Sequence, residues 1–250
     1  MDLDGKNHLD GFVPDYQPRR PNQPNAILQG SSTINSRADG MAANAKIRLF
    51  VAVFPPPEVV ERLTEAARGL AGGLSPRAVA WTRPEQIHLT LNFLGHVERT
   101  KVEEFQRAVA AACRRGESLL LRARGLGCFP SPARARILWA GLGGAVATAE
   151  ELKGSLDESL APLGYVQDTR PFQPHLTIGR VKSLNGGDRR HLTATLPQWR
   201  EADFGSWTAE RVDLMQSVLS PAGSEYSSVQ SFPLPGPGGI AFNSDSQPHS

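Results

Sequence analysis

Cysteine is scarce in this chain: 250 residues hold two, Cys113 and Cys128, in separate predicted elements and outside any C-x-x-C spacing. That pattern supports neither a disulfide framework nor a zinc knuckle. Long apolar runs are missing too. The longest, "LFVAVF" at 49–54, falls far short of the roughly 20 residues that span a bilayer. No apolar signal-peptide segment occurs in the first 40 residues. The expectation is a cytoplasmic protein without a membrane partner. Charge is nearly balanced, at a net +2 over the chain, and the 40% hydrophobic content is that of an ordinary globular domain.

The composition also divides the chain. Residues 1–44 are rich in Pro, Asn, Gly and Asp and show neither apolar period, so a disordered tail is expected there, with Met41 a candidate natural start. A second flexible tail is expected over 234–250. Between them, 45–233 reads as one domain of two lobes split near residue 120. Strand "KIRLFVAVF" runs into three prolines, and Val59, Leu63, Ala66 and Leu70 then mark one face of a helix. Strands follow at "AVAWT" and "QIHLTLNFLG". A second helix is predicted to start at a capping box, Thr100 with Glu103, and to bury Val102, Phe105, Val109 and Ala112. Strands "SLLLRARGLGCF" and "ARILWAGL" lead to a third helix, opened by Thr148 with Glu151 and carrying Leu152, Leu156 and Leu160. Strand "HLTIGRV", a short helix and strands near "RVDLMQSVLS" and "EYSSVQSF" complete a mixed α+β pattern.

His-Leu-Thr occurs three times. In "QIHLTLNFLG" a period of two buries Ile87, Leu89, Leu91 and Phe93 and sends His88, Thr90 and Asn92 to the opposite face. In "HLTIGRV" it buries Leu176 and Ile178 and exposes His175, Thr177 and Gly179, with Arg180 near the strand end. The third copy, at His191, has Asp188 as expected N-cap, Leu192 and Leu196 at helical spacing and Pro197 closing it. A surface helix throws His191 and Thr193 to different sides, so this copy is read as a coincidence of composition.

Two imidazoles serve a reaction that needs one proton removed and another delivered, since histidine titrates near neutral pH. Phosphodiester hydrolysis is such a reaction: water is activated on one side of phosphorus, the leaving alkoxide is protonated on the other, and hydroxyls and a guanidinium hold the remaining oxygens. Thr90, Thr177 and Arg180 are the right types for that last task. No carboxylate or second histidine stands at ligand spacing in either motif, so no metal and no cofactor are expected.

These residues resemble the 2H phosphoesterases, and within them the RNA 2′,3′-cyclic phosphodiesterases also called 2′-5′ RNA ligases. The resemblance runs over "RLFVAV", "AVAWTRPEQIHLTLNFLG", "FPSPARARILWAGL", "FQPHLTIGRV" and "VDLMQSVLSPAGSEYSSV", with His88 and His175 87 residues apart. It implies a bilobal α+β fold in which two pseudo-symmetric antiparallel sheets with flanking helices face across a cleft. It also implies opening of a 2′,3′-cyclic phosphate on an RNA or nucleotide end to a 2′-phosphate, with His175 as general base and His88 as general acid. Thr90, Thr177 and Arg180 would bind phosphate. Gly179 departs from the bulkier residue common at that place. Phe50 is a candidate for stacking on a base, and Arg134 and Arg136 for meeting an RNA backbone. Residues 45–233 hold 23 Lys and Arg against 19 Asp and Glu, which suits a small or single-stranded substrate. A monomer is expected. The motifs equally admit a ligase or a 2′-5′ phosphodiesterase; a noncatalytic RNA-binding module is a further alternative, against which the presence of both histidines and both threonines argues.

Overall fold

A computed structural model of the protein describes residues 45–220 and 223–236. The expected tail over 1–44, with the candidate start at Met41, and the second tail beyond residue 236 lie outside those residues. Leu234 and Pro235 belong to the packed domain. Leu234 is buried and its N–H donates to the carbonyl of Glu210, while Pro235 accepts from the N–H of Ser118.

Among the described residues there are nine strands and four α-helices: β1 Lys46–Val53, α1 Pro57–Ala71, β2 Val79–Trp81, β3 Leu89–Glu98, α2 Val102–Arg115, β4 Leu119–Phe129, β5 Ile137–Gly144, α3 Val146–Leu160, β6 His175–Val181, α4 Gly186–Thr195, β7 Asp203–Ala209, β8 Arg211–Ser220 and β9 Gly223–Pro233. Every pairing is antiparallel, in the order β7-β4-β5-β6-β3-β1-β8-β9 with β2 on the other side of β6. The α+β class expected from the sequence is the one observed. The sheet falls into two halves, β9-β8-β1-β3 and β7-β4-β5-β6, joined through a single recorded pair, Leu89 with Leu176. Hairpin β8–β9 returns to β1, so the first half is built from both ends of the described chain.

The helices lie where apolar stripes demand. Pro57 opens α1 at a position where its missing N–H costs nothing, and Val59, Val60, Leu63, Ala66 and Leu70 are buried. Helix α1 packs on β6 and β7, whereas α2 and α3 pack on each other, α2 also on β8 and β9 and α3 on β3. The expected capping boxes are not formed. Thr100 sits inside a 3₁₀ turn, Arg99–Lys101, that leads straight from β3 into α2. Lys101, directly before α2, is therefore already helical, and the last extended residue is Glu98, ahead of the 3₁₀ turn, so Thr100 does not stand where a cap needs it. Helix α3 starts two residues before Thr148, behind a turn at Gly144 with φ of 86°.

Strand β7 has no counterpart among the strands read from the sequence. Its "DFGSWTA" buries fully only Phe204 and Ala209, and it is held by pairing with β4 and by Arg122 bridging to Asp203 at 2.5 Å. Tertiary pairing of this kind overrides a weak local pattern.

Candidate active site

Both histidines are fixed the same way. A turn, Pro84–Gln86, delivers His88 to the position just before β3, and its Nδ1 donates to the carbonyl of Gln86 at 2.6 Å. His175 opens β6, and its Nδ1 donates to the carbonyl of Gln173 at 2.7 Å. A carbonyl only accepts, so the proton sits on Nδ1 in each neutral ring and the lone pair on Nε2. Each imidazole thus offers the same nitrogen for chemistry. The Leu89–Leu176 pair immediately follows both histidines, and its antiparallel register turns His88 toward Thr177 and Thr90 toward His175. The register sets the four residues beside one another at the seam between the half-sheets, where His88 and His175 interact electrostatically.

Past the threonines, each strand carries one extra residue. Thr90 pairs with Ala52 and Asn92 with Val51, which leaves Leu91 unpaired. Thr177 pairs with Trp139 and Gly179 with Leu138, which leaves Ile178 unpaired. These are the same bulge at equivalent positions, and a bulge reverses the faces of the residues that follow. Two expectations from strict alternation are overturned as a result. Asn92 is 2% exposed and Phe93 62% exposed. Gly179 is buried and Arg180 exposed. Arg180 is electrostatically felt by His88, and Phe93 occupies the matching place in the first motif, 87 residues earlier.

Aromatic rings frame the site. The centroid of His88 lies 5.0 Å from Phe50, 5.5 Å from Phe54 and 5.5 Å from Tyr226. Phe129 meets His175 edge-on at 5.2 Å. Burial among these rings lowers the His88 pKa to about 4; the Gln86 carbonyl pulls it up, and the charges of Arg180 and His175 push it further down. The free protein therefore holds His88 neutral at pH 7.

Other sequence-selected residues are placed as follows. Phe50 is 3% exposed, packed against His88 with Ala52 and Met215, so it supports the imidazole; the exposed ring nearby is Phe93, 6.4 Å from Phe50. Arg134 and Arg136 are exposed in the β4–β5 connection. Gly179 is explained by β2, since a Cβ there would lie 2.7 Å from Val79 and 3.2 Å from the Trp81 ring. His191 is apart from the site. Its Nε2 donates to the carbonyl of Leu70 at 3.2 Å, capping the end of α1, and a Cβ on Gly73 would collide with its ring. The N-cap of α4 is Asn185 rather than Asp188, which stands three positions inside the helix and accepts from the Asn185 N–H in a capping box.

Sequence reasoning missed the two glutamines, Tyr226 and the outward turn of Phe93. The signal for the first lay in a longer repeat, Arg-Pro-x-Gln-x-His-Leu-Thr, present at 83–90 and 170–177. Gln86 is also tied by its side chain to the carbonyl of Ser224 at the start of β9, the strand that brings Tyr226.

Two half-sheets meeting at paired H-x-T motifs define a two-histidine phosphoesterase scaffold, and comparison with known proteins gives the family. The profile described as "LigT like Phosphoesterase" matches residues 53–139 and 144–226. An RNA 2′,3′-cyclic phosphodiesterase of Methanothermobacter thermautotrophicus is 31% identical over 191 residues, 76% of this chain and 100% of that one. Another of that name, from Thermus thermophilus, is 30% identical over 76% of this chain and 91% of its own. A crystal structure of a protein from Thermus thermophilus superposes with a TM-score of 0.61 at 29% identity, covering 76% of this chain and 99% of the other. The chain belongs to the LigT-like phosphoesterases. No helix among the described residues is long and apolar enough to cross a membrane.

Proposed function

We propose that this protein hydrolyses 2′,3′-cyclic phosphate at the end of an RNA strand or on a nucleotide, leaving a 2′-phosphomonoester, without a metal. The observation that carries the reading is the duplicate anchoring of His88 and His175 through Nδ1, which leaves two Nε2 atoms for one reaction. The names of the relatives support the substrate. His175 takes a proton from water as its oxygen bonds to phosphorus. His88 gives a proton to the 3′ oxygen as the P–O3′ bond breaks, and the 2′ ester stays. Thr90, Thr177 and Arg180 hold the nonbridging oxygens, and Phe93 offers a face to the base. In this reading the protein is a cytoplasmic monomer.

The test is phosphorus NMR of an oligoribonucleotide ending in a 2′,3′-cyclic phosphate, incubated with the protein in EDTA. A 2′-phosphate resonance is expected. An unchanged cyclic phosphate, or a 3′-phosphate product, overturns the reading.

The acid role of His88 makes a demand on pH. A ring with a pKa lowered to about 4 carries no proton at neutrality, and a cyclic phosphodiester anion brings none, so His88 must take up a proton from solvent as substrate binds. An anion beside Arg180 offsets the repulsion from Arg180 and His175, and the faces of Phe50 and Phe54 favour an imidazolium. We therefore expect His88, followed by nitrogen NMR, to titrate near 4 in the free protein and at higher pH with the 2′-phosphate product bound. A midpoint that stays near 4 in the complex would exchange the two roles, making His88 the base.

A further inference from the structure

Beyond the histidines, β6 leads into a second concave site. The β4–β5 connection, the residues after β6 and the first turn of α4 line a pocket of about 430 Å³. Its charged members are Arg134, Arg136, Lys182 and Arg189. All four are exposed, and none forms an ion pair with a carboxylate among the described residues. Asp188, next to Arg189, is turned away: its carboxylate is buried and accepts from the N–H groups of Ser75 at 2.7 Å and Asn185 at 2.9 Å. Four cations gathered in a concavity repel one another, and an anion relieves that repulsion.

The pocket is built into the same framework as the active site. The Val181 N–H donates to the carbonyl of Arg136 at 2.9 Å, and the Arg136 N–H donates to the carbonyl of Phe129 at 2.7 Å. Phe129 is the residue whose ring meets His175. Helix α4 packs on the turn Pro132–Arg134 and closes the far wall. Strand β6 separates the pocket from His175 by the run from residue 175 to 181, roughly 20 Å at about 3.3 Å per residue. The lining contains no aromatic side chain, so it offers charge and hydrogen bonds without a stacking face, the chemistry of backbone contact rather than base readout.

We propose that this pocket binds backbone phosphates of an RNA strand upstream of the terminal cyclic phosphate, so that the protein prefers an oligoribonucleotide end to a free cyclic mononucleotide. The inference rests on the proposed reaction for its orientation of the strand, and its test separates the two. Arg134→Gln/Arg189→Gln is compared with the parent and with Arg107→Gln, which removes a charge from the outer face of α2. Binding of a single-stranded oligoribonucleotide that already carries the 2′-phosphate is followed by fluorescence anisotropy over a range of salt. The pocket variant is expected to bind roughly tenfold more weakly. Its log–log salt slope should be shallower by about 0.7 for each phosphate that the pocket no longer neutralises, while Arg107→Gln follows the parent. In turnover, the ratio of KM for an oligonucleotide to KM for a cyclic mononucleotide should rise by a similar factor in the pocket variant alone. Equal affinity and slope in the parent and the pocket variant, or equal losses in the pocket variant and Arg107→Gln, overturn the proposal. Failure of the parent to open any cyclic phosphate would remove the reaction, and the anisotropy comparison would still decide the pocket.

Discussion

Alanine in place of His88 or His175 is expected to lower kcat by about 10²- to 10⁴-fold, with KM changed far less. Each imidazole is oriented by its own carbonyl, Gln86 or Gln173, so neither can swing across to take over the other's proton. The double variant should fall little below the worse single one, because groups that act on one transition state do not contribute additively. Removing His88 also vacates the space among Phe50, Phe54 and Tyr226. His88→Asn, which keeps a polar group near the Gln86 carbonyl, guards against reading a packing defect as lost chemistry. Single-turnover rates, with circular dichroism of each variant, check the prediction. His191→Ala serves as the internal comparison: it removes a cap on α1 and should leave turnover unchanged. Either motif variant retaining parental kcat would sink paired acid–base catalysis.

The sequence made the inward-facing leucines and the two histidines legible, since both follow from a period of two over short strands. Leu89, Leu91, Leu176 and Ile178 are buried where that period puts them. What it could not convey was the step at Leu91 and Ile178. A bulge changes which face a residue serves without changing its type, and nothing in "LTLNFL" or "LTIGRV" announces an extra residue until the partner strands β1 and β5 fix the register. Strict alternation therefore puts Phe93 in the core and Asn92 on the surface, the reverse of what the fold does. Hairpin β8–β9 is a related case. Its strands are visible in the pattern, but their return to β1, which brings Tyr226 against His88, is a long-range pairing that local pattern does not encode. The helix starts failed for a different cause: Thr100 and Thr148 have the right neighbours, but the chain enters α2 and α3 through turns that begin the helix elsewhere.

Asp157→Ala is expected to destabilise the fold by about 3–5 kcal/mol and so to lower Tm by roughly 10 °C. Asp157, on α3, is 5% exposed and joins three groups. One carboxylate oxygen accepts from Lys153 Nζ at 2.7 Å, and the other accepts from Asn92 Nδ2 at 2.5 Å, which also donates to the Tyr165 hydroxyl at 3.1 Å. Without the carboxylate, the ammonium of Lys153, itself only 9% exposed, loses its ion-pair partner and keeps only the longer-range attraction of Asp168, and breaking one partner of a buried pair costs far more than removing both. The comparison variant Lys153→Met/Asp157→Leu deletes both charges and should recover much of the loss, short of the parent because Asn92 still loses its carboxylate acceptor and keeps only the Tyr165 hydroxyl. Urea unfolding measures the three proteins, and an Asp157→Ala variant within about 1 kcal/mol of the parent would refute the network's role, since that is no more than an ordinary exposed pair contributes. The consequence reaches the active site through Asn92. Its inward side chain is what the bulge at Leu91 delivers to α3, and the same bulge turns Phe93 outward beside the Phe50 ring. Loosening Asn92 should therefore raise KM for the base-bearing substrate while kcat, which the proposed mechanism assigns to the anchored histidines, changes less.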